Sequence, residues 1–144
     1  MKYRIIAIGR PRLGYAAAAV GEYRKRLARD GGVEVHFLKE KDATRQLLER
    51  SAGTYRVALD ERGEQLTTAD LAGRMETLAG DRGVKGVSFL IGGSDGHDED
   101  LRAGCDLVLA LSGLTLQHEL ALVVLLEQLY RVSTIRRGEP YHRY

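Results

Sequence analysis

Phe89-Leu90-Ile91-Gly92-Gly93-Ser94-Asp95-Gly96-His97 is the stretch that decides the fold, because a short apolar run ends there in three closely spaced glycines. Such a run, bounded by glycine, predicts a buried strand. Glycine lets the backbone turn sharply and lets a ligand approach, since no Cβ atom stands in the way. The stretch therefore predicts a cofactor pocket at the end of a buried strand, although the glycines alone are equally typical of a plain tight turn.

The rest of the chain alternates between strand and helix patterns around this stretch. Strands are predicted at residues 3–9, 33–38, 55–60, 87–91 and 106–111, with a turn at 61–64. Helices are predicted at residues 15–29, 42–50 with Asp42 as its cap, 67–78, and 119–132. This alternation predicts a Rossmann-like α/β fold with a mostly parallel sheet covered on both faces. Ligands of such sheets bind at the carboxyl ends of the strands, where Leu59, Ile91 and Leu111 fall.

The bulk composition is that of an ordinary soluble globular protein. The chain has 144 residues, 44% hydrophobic and 29% charged, which predicts one domain spanning residues 1–144. It has no apolar run long enough for a membrane span, and its start is too short in apolar residues for a signal peptide. One cysteine, Cys105, agrees with a reducing compartment, so the cytoplasm is expected. A net charge of +2 means that any nucleic-acid contact must be local.

Several cofactor classes fit the motifs poorly. The glycine spacing of residues 92–96 is not that of a dinucleotide fingerprint, and the segment lacks the Lys-Ser/Thr of a phosphate-binding P-loop. The acidic run from Asp95 to Asp100, which includes His97, does not have the spacing of a calcium loop or a zinc motif, so no metal is expected. Its carboxylates suit the first turn of a short helix instead. Cys105 is expected to be a buried structural thiol, because neighbouring Asp106 opposes a thiolate.

The segment from Leu111 to His118 is unusual because a strand passes into a loop that stays apolar. Ser112, Gly113 and Thr115 are interleaved with Leu114 and Leu116. Such a loop either packs against the rest of the fold or wraps a flat apolar ligand such as adenine, with backbone groups at its edges, and composition does not separate these two readings. His118 is expected at the start of the last helix, where a lone histidine most often has a structural role.

The last helix and the tail carry two further expectations. The helix beginning at Glu119 is apolar nearly all round in its first turns, so its second side is expected to meet another subunit in a symmetric dimer. The tail, residues 136–144, concentrates arginines and aromatic rings. It is either a disordered basic end or an RNA-binding edge in which rings stack on bases and arginines hold phosphates.

Taken together, these motifs resemble the RlmH family, small SPOUT-class methyltransferases that modify a pseudouridine of large-subunit ribosomal RNA. The resemblance spans nearly the whole chain. It is carried by the Ile-Ala-Ile-Gly-Arg strand at 6–10, Glu22-Tyr23 with Lys25-Arg26-Leu27, Leu59-Asp60 with Gly63, Ile91-Gly92-Gly93 with Gly96, Leu111-Ser112 with Leu114-Thr115-Leu116 and His118, Glu127-Gln128-Leu129-Tyr130-Arg131, and Pro140-Tyr141-His142-Arg143.

The resemblance implies a Rossmann-like domain whose C-terminal part threads a trefoil knot, and a homodimer in which the tail of one subunit meets the cofactor site of the other. It implies S-adenosylmethionine as cofactor, bound in the knot. The implied cofactor-binding residues are Leu59, Gly92, Gly93, Leu111, Ser112, Gly113, Leu114, Thr115 and Leu116.

The implied reaction is methylation of N3 of a pseudouridine in 23S ribosomal RNA, on the assembled ribosome. We hypothesise that Arg143 stabilises charge on the acceptor, that His142 or His118 takes its proton, and that Tyr141 packs against the base. Two positions depart from the family: Gln117 stands where proline is usual, and Leu122 where arginine is usual. They leave open an alternative, a catalytically weak or inactive RNA-binding protein of the same fold; an ordinary nucleotide-binding α/β protein is a further rival.

Overall fold

The computed structural model describes residues 2–143, so Met1 and the last tail residue, Tyr144, lie outside the described part. A single parallel sheet forms its centre, with the strands in the order β2-β1-β4-β3-β5. The strands are β1 (Tyr3–Ile8), β2 (Val33–Leu38), β3 (Tyr55–Gln65), β4 (Val87–Ile91) and β5 (Leu107–Ala110). The prediction of a parallel α/β sheet is confirmed.

Helices follow the strands and cover both faces of the sheet. They are α1 (Gly14–Leu27), continued by a 3-10 turn (Ala28–Asp30), α2 (Ala43–Arg50), α3 (Thr68–Ala79), α4 (Glu99–Ala103) and α5 (His118–Arg136). Helices α1, α3 and α5 lie together on one face, with α5 packed against both others. Helices α2 and α4 cover the other face, where Leu47 and Leu101 contact the strands.

The two faces of the sheet use alternate residues of the same strands. On the α5 side, fully buried Phe89 and Val57 pack against Leu125 and Leu129. On the opposite side, Leu90 packs with Leu47. This arrangement follows from the period of two along a strand, and it buries apolar surface on both sides of each central strand.

Helix ends follow the expected capping chemistry in α3 but not in α2. The sequence offers Thr67 or Thr68 as the cap of α3, and the structure uses Thr67. Its side chain accepts a hydrogen bond from the Asp70 N–H, and the Asp70 carboxylate accepts one from the Thr67 N–H, which forms a capping box. The prediction that Asp42 caps α2 is wrong in its chemistry. Asp42 stands at the N-cap position with a φ of 53°, and its carboxylate binds Arg45 at 2.9 Å instead of the helix amides.

The predicted turn at residues 61–64 is also wrong. Strand β3 continues to Gln65, and both Leu59 and Glu64 pair with Leu109 of β5, so the intervening residues bulge out. Glycine is required at 63, because a Cβ there would lie 2.5 Å from the carbonyl oxygen of Val108. The glycine therefore marks a close backbone approach between two strands, which looks like a turn in the sequence alone.

Among residues 2–143, no helix combines the length and the apolar character that a membrane crossing requires.

Candidate active site

A cleft of about 410 Å³ opens at the carboxyl edge of the sheet, in the size range of ligand pockets, roughly 300–1,000 Å³. Three pieces of chain form its walls. They are the bulge of β3 after Leu59, the turn after Ile91 at the end of β4, and the loop from Leu111 to the first turn of α5. The three strand ends predicted from the sequence therefore meet at one cleft.

The glycine turn after β4 forms one wall, and its own packing requires glycine at two positions. A Cβ on Gly92 would lie 2.8 Å from the carbonyl carbon of Gly96, and Gly96 itself has a φ of +73°. The Gly96 N–H donates to the Gly93 carbonyl at 3.0 Å, which closes the turn. His97 then folds back beneath it, and its Nε2 donates to the Leu90 carbonyl at 2.8 Å. Burial lowers the pKa of this ring, so it is held in its neutral form.

The loop between β5 and α5 forms the facing wall and is fixed by three polar contacts. The Ser112 hydroxyl accepts from the Leu114 N–H at 2.9 Å, and the Thr115 hydroxyl donates to Glu61 in the β3 bulge at 2.5 Å. The Gln117 side chain caps α5, accepting from the N–H groups of Glu119 at 2.9 Å and Leu120 at 3.0 Å. The side chain of Leu114 remains largely exposed, at 77%, whereas Leu111 packs against the core.

Carboxylates dominate the charge of the cleft. Asp60, Glu61 and Asp95 line it, together with Arg62 and His118. The Asp60 side chain is only 4% exposed and lies 3.5 Å from both Arg62 and Arg102. A cleft with this lining suits a cationic ligand better than a phosphate.

The structure brings most of the proposed cofactor residues together. Eight of the nine line the cleft: Leu59, Gly92, Gly93, Leu111, Ser112, Leu114, Thr115 and Leu116. Gly113 faces elsewhere, since a Cβ there would lie 3.3 Å from Nε2 of Gln65. The further lining residues, which the sequence does not assign to cofactor binding, are Asp60, Glu61, Arg62, Ser94, Asp95, Gly96, Leu109, Gln117 and Ala121. Asp60 and Glu61 directly follow Leu59 at a predicted strand end. Because ligands of parallel sheets bind at such ends, this position is the sequence signal that could have indicated them.

The four proposed catalytic residues fall into two groups. His118 is the first residue of α5, as predicted, and lines the cleft. Tyr141 instead packs edge-on against Tyr130 with ring centroids 4.9 Å apart, and the Arg131 guanidinium lies 4.7 Å from its ring centre. His142 Nδ1 accepts from Arg131 at 3.2 Å, and Arg143 is exposed. Arg131 stands thirteen residues after His118, or about 20 Å along the helix. Within one chain, Tyr141, His142 and Arg143 do not line the cleft.

Asp98 has the helix-capping role expected of the acidic run, whereas Cys105, expected to be buried, is only half-buried. The Asp98 carboxylate caps α4, accepting from the Leu101 N–H at 2.8 Å, and its other oxygen accepts from the Thr44 hydroxyl at 2.7 Å. The Thr44 bond is the main reason that the pKa of Asp98 is lowered. Burial raises the pKa of the Cys105 thiol. Within residues 2–143, no group of three His, Cys, Asp or Glu side chains is placed to hold a metal ion.

The fold and the cleft define a class of protein. A parallel α/β sheet with an apolar, glycine-edged cleft at its carboxyl ends is typical of proteins that bind a nucleotide-like cofactor. The comparisons with known proteins narrow that class. Residues 1–142 match the family model described as "Predicted SPOUT methyltransferase". The chain is 49% identical over 143 residues, 99% of both chains, to ribosomal RNA large subunit methyltransferase H of Thermus thermophilus, and 42% identical over 99% of its length and 100% of the relative to the protein of that name from Deinococcus deserti.

The chain belongs to the SPOUT methyltransferase family and, within it, to the RlmH family that its motifs resemble. Solved structures agree at the level of the fold. A tRNA methyltransferase from Aquifex aeolicus superposes with a TM-score of 0.60 at 15% identity, over 100% of this chain and 76% of that one. A probable methylase family protein from Haemophilus influenzae gives 0.60 at 9% identity, over 99% and 70%.

The cofactor of this methyltransferase is S-adenosylmethionine, and the residues present fit it. Leu59, Ile91 and Leu109 provide apolar lining that suits a purine ring. The glycine turn and the loop after β5 offer backbone groups to its edges. The carboxylates of Asp60 and Glu61 have the charge that favours a sulfonium and an ammonium group.

Proposed function

We propose that this protein methylates N3 of a pseudouridine in 23S ribosomal RNA, using S-adenosylmethionine as the methyl donor. Two relatives that match this chain over nearly their full length are named as methyltransferases of large-subunit ribosomal RNA. The observation that carries the proposal is the cleft at the ends of β3, β4 and β5, which has the size, apolar walls and acidic lining for that donor.

Methyl transfer to N3 requires a bound methyl donor, alignment of the reacting atoms and removal of a proton from the acceptor. When bound, the cofactor supplies an electrophilic methyl group on a sulfonium. The walls of the cleft hold the reacting atoms in line, an effect worth as much as roughly 7–11 kcal/mol in favourable cases. The acceptor N3 of pseudouridine must also lose a proton, which leaves charge on the flanking carbonyl oxygens. We assign Arg143 to stabilise that charge, His142 or His118 to take the proton, and Tyr141 to pack against the base.

These assignments require a second copy of the chain, because the tail and the cleft lie at opposite ends of α5. A stripe of half-exposed side chains runs along α5 between them, formed by Leu120, Val123, Val124, Glu127 and Arg131. Two copies of such a stripe can pair across a two-fold axis with their helices antiparallel. That pairing exchanges the ends of the helices and places the tail of one subunit beside His118 of the other. We propose that the protein is a homodimer with two composite active sites.

We also propose that residues 1–144 form one domain whose C-terminal part threads a trefoil knot. The contacts that support a knot are those along the path of the loop after β5. The loop after β5 passes beside the β3 bulge, where Thr115 binds Glu61, and then enters α5 between α1 and α3. The loop after β5 would then be both the knotted segment and the cofactor-binding segment, and the knot would hold this loop in its bent shape. We place the protein in the cytoplasm, acting on the assembled ribosome.

The test is transfer of a tritiated methyl group to ribosomes, large subunits and free 23S RNA, all from cells that lack the modification. The expected result is label on assembled ribosomes, located at N3 of a pseudouridine by mass spectrometry of the digested RNA. Ribosome binding without any label would favour the alternative, a non-catalytic binding protein. Leu122, which stands where the family usually has an arginine, is the departure that motivates this alternative.

A further inference from the structure

The loop between β1 and α1 presents two exposed arginines that the proposed reaction does not use. Arg10 and Arg12 make no ion pair with any carboxylate of residues 2–143. The Arg10 guanidinium lies 5.7 Å from the centre of the Phe37 ring, a contact that uses none of its N–H donors in a hydrogen bond. By contrast, Arg102, Arg131 and Arg137 all have acidic partners.

A buried carboxylate of α5 holds this loop in place. Oε1 of Glu119 accepts from the N–H of Arg12 at 2.6 Å and from the N–H of Leu13 at 2.9 Å. The Leu13 bond, followed by the Arg12 bond, lowers the pKa of Glu119, so the carboxylate is ionised at neutral pH. Helix α1 has no side-chain cap of its own and no acidic residue in its first turn. Glu119 therefore supplies, from another helix, the acceptor that the start of α1 lacks.

Glu119 also ties the basic loop to the edge of the cleft. Its neighbours Gln117 and His118 line the cleft, and β1, from which the loop leaves, runs beside β4. The end of β1 touches the glycine turn, since a Cβ on Gly93 would lie 3.6 Å from Ile8. The acidic lining of the cleft disfavours a phosphate inside it, so an RNA backbone must be held outside, where this loop stands.

We propose that the loop Arg10–Leu13 binds backbone phosphates of the RNA substrate beside the cleft, and that Glu119 is the positioning residue that holds the loop there. The inference rests on the proposed function, because it takes RNA as the substrate. It adds a binding surface and a residue to those already assigned.

The salt dependence of RNA binding tests the loop. The double variant Arg10→Gln/Arg12→Gln is compared with the matched double variant Arg82→Gln/Lys85→Gln, which removes two exposed cations from the turn before β4, at the opposite edge of the sheet. The probe is the large ribosomal subunit from cells lacking the modification. The loop variant should lower the slope of log K against log salt by about 1.4–1.8, and the control should leave the slope unchanged. An unchanged slope in the loop variant overturns the proposal.

Two substitutions of Glu119 distinguish its role in positioning the loop from the effect of its negative charge on RNA binding. Glu119→Gln keeps Oε1 as an acceptor, so RNA affinity should stay within about twofold of wild type. Glu119→Ala frees the loop, and we expect a KM for the large subunit raised toward that of the loop variant, with kcat nearly unchanged. Simple electrostatics predicts the opposite, since loss of an acid should tighten RNA binding. Tighter or unchanged binding by Glu119→Ala contradicts the assignment.

Failure of this inference is distinguishable from failure of the proposed function. Calorimetry with S-adenosylmethionine should give wild-type affinity for all four variants. If the wild-type protein binds the donor and methylates no RNA, the proposed function fails, whereas an unchanged salt slope with normal methylation rejects only the loop. Should Glu119→Ala not fold, the arginine double variant decides the question.

Discussion

At the scale of single residues, the structure separates the residues of the cofactor cleft from Arg143, the residue proposed to stabilise charge on the acceptor. Arg143 is exposed in the tail and does not line the cleft of its own chain. We expect Arg143→Ala to lower turnover about 10²–10³-fold, the usual cost of removing one group that stabilises developing negative charge. Calorimetry should show donor affinity unchanged, and Arg82→Ala is the control for loss of one exposed arginine. Full methylation by Arg143→Ala would refute the role.

His97 links the glycine turn to the pH dependence of stability. Because burial lowers the pKa of its ring in the folded state, the unfolded chain binds a proton, with a pKa near 6.5, that the folded protein does not. The free energy of unfolding should therefore decrease as pH falls from about 7.5 to 5.5, by up to roughly 1.4 kcal/mol per pH unit. Urea unfolding at a series of pH values measures this slope. His97→Gln should flatten it, and an equal slope in both proteins would rule His97 out as the source.

Sequence reasoning found single residues well where a local rule applied. The glycines of residues 92–96 mark a real cleft wall, and Asp98 and Thr67 cap helices as their sequence context predicts. The sequence pattern ends the strand at Asp60 and predicts a turn from Glu61, so it does not indicate that Asp60 and Glu61 face a ligand. In the structure they stay within β3, and the bulge turns them toward the cleft. A bulge is decided by the neighbouring strand β5, which a local pattern does not contain.

At the scale of elements, the β3 bulge and the helix α3 offer a matched pair of glycine substitutions. Gly63→Ala forces a methyl group against the backbone of Val108, and overpacking of this kind usually costs about 1–3 kcal/mol. Gly73→Ala meets no atom within 4 Å on the exposed side of α3, where alanine favours the helix by roughly 0.5–1 kcal/mol. Thermal unfolding should therefore shift in opposite directions in the two variants. A neutral or stabilising Gly63→Ala would show that the strands are not held this closely.

Most strands and helices could be predicted from the sequence, because the hydrophobic periodicity and the glycines at element ends indicate the same boundaries. The ends were less certain, since α5 extends four residues past the predicted Val132, to Arg136, and β5 stops at Ala110. The position of Leu122 in α5 explains why this residue is apolar. It is buried against the sheet on the inner side of α5, so its apolar character serves packing there.

At the scale of the whole molecule, the position of the tail is the feature that no local pattern predicts. Tyr141 and His142 dock on Arg131, and the half-exposed stripe of α5 lies between them and the cleft. Sequence suggested a dimer from the apolar character of α5. Under the proposed function a second copy is needed, since one copy does not bring the proposed catalytic groups together.

Mixed dimers test the composite site. Arg143→Ala lacks the tail group, and Leu114→Lys places a cation in the cleft wall at a position that is 77% exposed, so we expect this variant to fold. Each variant alone should be nearly inactive. After refolding of an equal mixture, half of the dimers are mixed and each has one intact site, so activity should recover to about a quarter of wild type. No recovery, with exchange of subunits verified by mass spectrometry, would mean that the tail serves its own chain.

The central claim is that the cleft at the ends of β3, β4 and β5 holds S-adenosylmethionine. Calorimetric titration of the folded protein with this donor tests it most directly. We expect one molecule bound per chain, with binding lost in Gly92→Ala, whose methyl group collides with Gly96, and in Leu114→Lys, which repels the sulfonium. Gly73→Ala is the control that should bind like wild type. Wild-type affinity in both cleft variants, or no binding by the wild-type protein, would contradict the account.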